Sequence, residues 1–269
     1  MKKLAMTLSA LAALTGSAFA ADMAPAPRYT KAPVVAPPVA TWTGCYISGG
    51  GGYSMSYDDH YGVLTGDPTN TPLTDTTTTG GRGWLGMVGA GCDYQFTALG
   101  YGVVFGVMGD YDFGGAKGNF EGSVPLFTAA PPFGVATVFG SDKQNWSWAV
   151  GPRIGILVTP SLLTYFNGGY TETHFGQVDL NVSGGLGPLG SSLAATTFHG
   201  WFLGSGTEFA VPSIPGLYWR NEYRYSRFNG ADRTGINTFT GVPVFLSEHS
   251  KVDVQAATTS LIYKFNMWH

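Results

Sequence analysis

The sequence predicts an all-β fold: an eight-stranded antiparallel transmembrane β-barrel with four long extracellular loops and three short periplasmic turns. Three observations predict it. Eight segments alternate apolar with small or polar residues at period two, and long and short connections between them alternate strictly. Charged residues are scarce, at 12%, while aromatics reach 14% and glycines number 40 in 269 residues. Globular chains carry about 25% charged residues, so this content suits strands with one face in lipid and the other toward a narrow lumen. The aromatic content argues against disorder. A net charge of −3 without any Lys/Arg cluster excludes a nucleic-acid partner bound through a basic footprint.

Residues 1–20 read as a signal peptide. Lys2 and Lys3 precede an apolar run from Leu4, and Ala18-Phe19-Ala20 is a small-x-small cleavage site, which leaves Ala21 as the mature start. No later run of about 18 apolar residues follows, so no spanning helix is expected. Residues 21–41 are Pro/Ala-rich without hydrophobic period and read as an extended periplasmic linker. The barrel is expected over 42–269.

The first segment, Trp42–Ser56, sets Cys45, Ile47, Tyr53 and Met55 on one parity against Gly44, Ser48, Gly50, Gly52 and Ser54 on the other. Arg82–Phe96, Gly102–Phe113 and Asn145–Leu157 repeat the pattern. The fifth, Leu162–His174, is open: either parity of LTYFNGGYTETH could face out. Thr197–Ala210 follows, then Leu217–Arg227 and Val252–Phe265. In Leu217–Arg227 the rings of Trp219, Tyr223 and Tyr225 share one face, while Arg220, Glu222 and Arg224 share the other. The gaps 57–81, 114–144, 175–196 and 229–251 are long and turn-like; 97–101, 158–161 and 211–216 are short. Outer-membrane barrels sort their connections this way, with long loops outside and short turns in the periplasm. The expected location is the outer membrane, and the expected partners are its lipid and lipopolysaccharide.

The chain resembles the small outer-membrane barrel proteins of alphaproteobacteria known as outer-membrane immunogenic proteins, related in architecture to the OmpA-type transmembrane domain. The resemblance is carried by WTGCYISGGGGY at 42–53, GWLGMVGAGCDYQ at 83–95, VFGVMGDYDF at 104–113, GPRIG at 151–155, GWFLGSGTEF at 200–209, WRNEYRY at 219–225 and SLIYKF at 260–265. It implies a surface-exposed protein that the barrel-assembly machinery reads at a terminal Phe. Here Asn266-Met267-Trp268-His269 follow Phe265. Ala21-Asp22 is similar to the start of related barrels linked to peptidoglycan, which makes peptidoglycan a candidate partner. A spacer of about 20 residues would reach ~60 Å as polyproline.

The inward-parity charges are Asp93, Asp110, Asp112, Glu208, Glu222, Arg153, Arg220, Arg224 and Lys264. An eight-stranded barrel is just wide enough for side chains to fill, and unpaired charge in such an interior is costly, so these nine are expected to form a paired structural network. The glycines at 49–52, 89 and 91 lack the helix and Lys-Ser/Thr of a phosphate loop. They read as room for packing. No nucleophile–base pair suggests an enzyme, and no cofactor is expected. The alternative is a narrow porin or a haem- or metal-binding receptor, with His60, His174, His199 and His249 on one extracellular rim as its ligands. Cys45 and Cys92 share outward parity on neighbouring segments, so a disulfide is possible.

Overall fold

The computed structural model describes residues 41–126, 134–182 and 187–265, every regular element a strand. The signal peptide and nearly all of the linker, and Asn266–His269, lie outside the described residues. The strands are β1 (Gly44–Leu64), β2 (Thr77–Ala98), β3 (Tyr101–Gly114), β4 (Lys117–Leu126), β5 (Gly134–Thr159), β6 (Leu162–Phe175), β7 (Val178–Val182), β8 (Gly187–Leu193), β9 (Thr196–Ala210), β10 (Leu217–Phe228), β11 (Ala231–Arg233), β12 (Gly235–Asn237) and β13 (Leu246–Phe265). Eight of them close a ring by antiparallel pairing: β1, β2, β3, β5, β6, β9, β10, β13 and back to β1. Closure leaves the ring with no free edge.

At one end the connections are short. β2 turns into β3 through Leu99 and Gly100, at φ 53° and 82°, the positive pair a two-residue hairpin requires. Trp42 fills the mouth at this end. It is wholly buried, donates from Nε1 to the Pro160 carbonyl (3.2 Å) and packs 4.7 Å from the Tyr218 ring. The expected strand start at Trp42 is thus a side chain turned inside, and β1 begins at Gly44, whose φ of 141° favours glycine.

At the other end the sequence expectation needs correction. The four stretches read as long loops are largely strand. β1, β2, β5 and β13 run for 21, 22, 26 and 20 residues, about twice the 9–11 that cross a bilayer. Their outer halves pair with one another and with β4, β7, β8, β11 and β12 in one continuous wall. These segments were opaque to parity because Gly, Thr, Asn and Asp weaken the period-two signal. β5 also carries a bulge between Gln144 and Trp146, so Gln144 and Ser147 both point inward despite odd spacing. The open parity of β6 is settled: Leu163, Tyr165, Asn167, Thr171 and Thr173 are buried, Phe166 and Tyr170 exposed.

Candidate functional site: the lumen charge network

Register places the inward charges in rows across the ring. Asp93 on β2, Gly106 on β3 and Arg153 on β5 are consecutive partners. Glycine in the middle lets the outer two meet: a Cβ there would collide with Asp93 Oδ1. Arg153 donates to Asp93 twice and through Nη1 to Glu208 of β9. Arg220 of β10 donates from Nε to the same Glu208 oxygen (2.8 Å), and Lys264 of β13 donates to Asp93 Oδ2 (2.6 Å). Tyr46 and Tyr165 sandwich the layer, with the Arg153 guanidinium 5.1 and 4.9 Å from their ring centroids. This layer holds three bases and two acids.

The layer above holds three acids and one base. Arg224 forks onto Asp110 with two hydrogen bonds of 2.7 Å and donates from Nη2 to Glu222 (2.7 Å). Glu222, Gly206 and Tyr165 repeat the polar–Gly–polar row. The Tyr165 hydroxyl donates to Glu222 Oε2 at 2.7 Å, and Asn167 Nδ2 donates to the same oxygen at 3.0 Å. Ser147 donates to Asp112 (3.1 Å). All nine charges expected inside are buried. Tyr46, Tyr165, Asn167 and Ser147 complete the network and were not singled out from sequence, though each continues an inward row.

The exterior is the reverse. Ile47, Val88, Val107, Ile154, Phe166, Leu203 and Leu261 are exposed between the two ends. Rings gather toward both ends: Tyr94, Phe96, Tyr101, Trp219 and Tyr263 near the short turns, Tyr57, Trp84, Phe113, Trp201 and Tyr223 opposite. Apolar outside, charged inside and closed into a ring is a structure built for hydrocarbon.

The ring is a transmembrane β-barrel of the outer-membrane type. Its short turns mark the periplasmic end. The outward apolar band ends at Tyr57 on β1 and Ala257 on β13, beyond which Gln255, Asp253 and Lys251 face out. Everything farther along those strands lies outside the membrane.

Cys45 and Cys92 are direct cross-strand partners, and their sulfurs are bonded. The four histidines do not share a rim site, and two of them, expected in loops, are in strands. His60 points inward from β1, 1% exposed, and donates from Nε2 to the Glu121 carbonyl (2.9 Å). His249 on β13 meets Asp232 (2.6 Å). His174 stacks on Trp146 at 5.3 Å, and His199 bonds Glu172 at 2.9 Å. Among the described residues no group of three or more His, Cys, Asp or Glu is placed to hold a metal ion.

No family model and no curated protein matches the chain. Among solved structures the barrel is similar to the outer-membrane protein OprG from Pseudomonas aeruginosa, at a TM-score of 0.48 and 15% identity over 84% of this chain and 98% of that one. It is also similar to the outer-membrane protease OmpT from Escherichia coli (TM-score 0.43, 8% identity, 84% and 98% covered). Neisserial surface protein A matches with a TM-score of 0.36 and 15% identity over 83% and 98%. The fold assignment rests on the barrel's own closed pairing.

Proposed function

We propose that this protein is a non-enzymatic outer-membrane barrel with a plugged lumen, one of the small alphaproteobacterial outer-membrane immunogenic proteins it resembles. Its role is envelope integrity, with the extracellular wall presented at the surface. The observation that carries this reading is the hydrogen-bonded charge network spanning the lumen. Arg153 alone ties β2 to β9 through Asp93 and Glu208, and a permeant ion would have to break such bonds in a low-dielectric interior. Trp42 covers the periplasmic mouth beneath. Against catalysis, the carboxylate partners of His199 and His249, Glu172 and Asp232, are at the surface, and among the described residues no serine or threonine hydroxyl bonds either of these two rings. A deletion strain should become sensitive to SDS with EDTA and recover with the wild-type barrel. Unchanged sensitivity would contradict an envelope role.

A further inference from the structure

Beyond the membrane band, where β1 and β13 continue outward, the lumen has a second charged level that the network below does not use. Asp58, His60, Asp142, Arg233 and Glu248 meet there. Arg233, paired across the sheet with Glu248, donates to Asp142 (2.8 Å) and to the Gly176 carbonyl (2.7 Å), while its Nε is buried without a hydrogen-bond partner. Glu248 is 6% exposed, its Oε2 accepts no hydrogen bond, and the nearest ring nitrogen, His60 Nε2 at 3.5 Å, is donated to Glu121. A buried carboxyl normally has a cation or donors at hand. Burial, reinforced by the neighbouring Asp58, raises the Glu248 carboxyl well above the usual carboxylate range.

Glu248 and His60 border a cavity of about 60 Å³ that Phe120, Val138, Leu180 and Leu193 of an apolar cluster also line, with Phe120 stacked on the His60 ring at 4.7 Å. Among the described residues no lysine or arginine lines it. At about 10–15 Å³ of such space per water-sized group it takes some four to six of them. An apolar body of a few carbons fits against the cluster, and a positive head beside Glu248 would satisfy its unbonded oxygen and favour its carboxylate form.

We propose that this extracellular cavity binds a small primary amine, with its ammonium at Glu248 and its carbon chain along Phe120, Leu180 and Leu193. Arg233, the cross-strand partner of Glu248, lends it some positive field but spends its hydrogen bonds on Asp142 and Gly176, so the ammonium supplies the direct donor that Glu248 Oε2 lacks. The site is separate from the membrane-level network and does not depend on whether the lumen conducts.

Ligand-observed NMR titration of the full chain refolded in detergent tests this with n-butylamine, n-butanol and butyrate, each corrected for non-saturable partition into micelles. Saturable binding of n-butylamine is expected, at least tenfold weaker for n-butanol and absent for butyrate. Glu248→Gln should weaken n-butylamine at least tenfold, and Leu193→Trp, which fills the cavity, should abolish binding. Equal binding of amine and alcohol, or undiminished amine binding by Glu248→Gln, overturns the proposal. If Glu248→Gln does not refold, the wild-type contrast between amine and alcohol decides alone.

Discussion

Arg153 grips Asp93 with two parallel hydrogen bonds, Nε to Oδ1 at 2.8 Å and Nη2 to Oδ2 at 2.6 Å, reaching across Gly106 on the strand between them. The fork is the geometry that makes arginine–carboxylate pairs specific. Removing one partner strands the other. Asp93→Ala, which leaves both Arg153 and Lys264 short of an acceptor, is expected to cost about 3–5 kcal/mol. Asp93→Ala with Arg153→Ala should cost less than the sum of the two singles. Urea unfolding in detergent micelles, followed by tryptophan fluorescence, measures both.

The glycine between them is as specific as the pair. A side chain at Gly106 occupies the space where Asp93 Oδ1 sits, whereas a Cβ at Gly86 meets nothing within 4 Å. Gly106→Val is expected to destabilise by about 1–3 kcal/mol or more. Gly86→Val should stay within about 0.5 kcal/mol. Equal effects in the same unfolding assay would show that strand propensity, and not lumen packing, sets the glycine pattern.

Tyr165→Phe removes the hydroxyl that donates to Glu222 and keeps the ring beneath Arg153. Loss of a hydrogen bond to a buried carboxylate should lower stability by about 1.5–3 kcal/mol. The heat-modifiable gel shift should survive, because the strand pairing does not depend on that hydroxyl.

At the periplasmic turn Leu99 stands 98% exposed at a φ of 53°, where its side chain gains nothing from burial and a left-handed backbone costs an ordinary residue about 1–2 kcal/mol. Leu99→Asn should therefore stabilise the barrel by about 1 kcal/mol, with a higher urea midpoint and an unchanged slope. A lower midpoint would show that the leucine has a membrane-surface role outweighing the strain.

The Cys45–Cys92 bond joins strand neighbours 47 residues apart in sequence. Iodoacetamide should add no mass to unreduced, denatured protein and two carbamidomethyl groups after reduction. Two alkylated thiols without reductant would refute the bond.

The ring and its charges were legible in the sequence because the period of two is strict where lipid meets one face. Arg220, Glu222 and Arg224 alternate with Trp219, Tyr223 and Tyr225, and no other phase keeps the rings in hydrocarbon. The upper level was not legible. Asp58 and His60 continue the inward row of Ser48, Ser54 and Ser56 on β1, yet beyond the membrane outward positions such as Asp59 are polar too, so the contrast that reveals a strand fades. Arg233 and Asp142 sit in segments rich in glycine and polar residues, paired with β13 and β4 beyond the membrane band, where no lipid-facing parity marks them as strand. The histidines misled for a related reason: a polar residue in a strand extension looks like a loop residue until its register is known.

The central claim is that the network joining Asp93, Arg153, Glu208, Arg220 and Lys264 closes the lumen. Planar-bilayer recording of the refolded wild-type barrel tests it most directly. No stable single-channel steps above baseline are expected in 1 M KCl across ±100 mV, a driving force of about 2.3 kcal/mol per charge at either extreme. A large, stable, ohmic conductance from the wild-type protein would contradict the account.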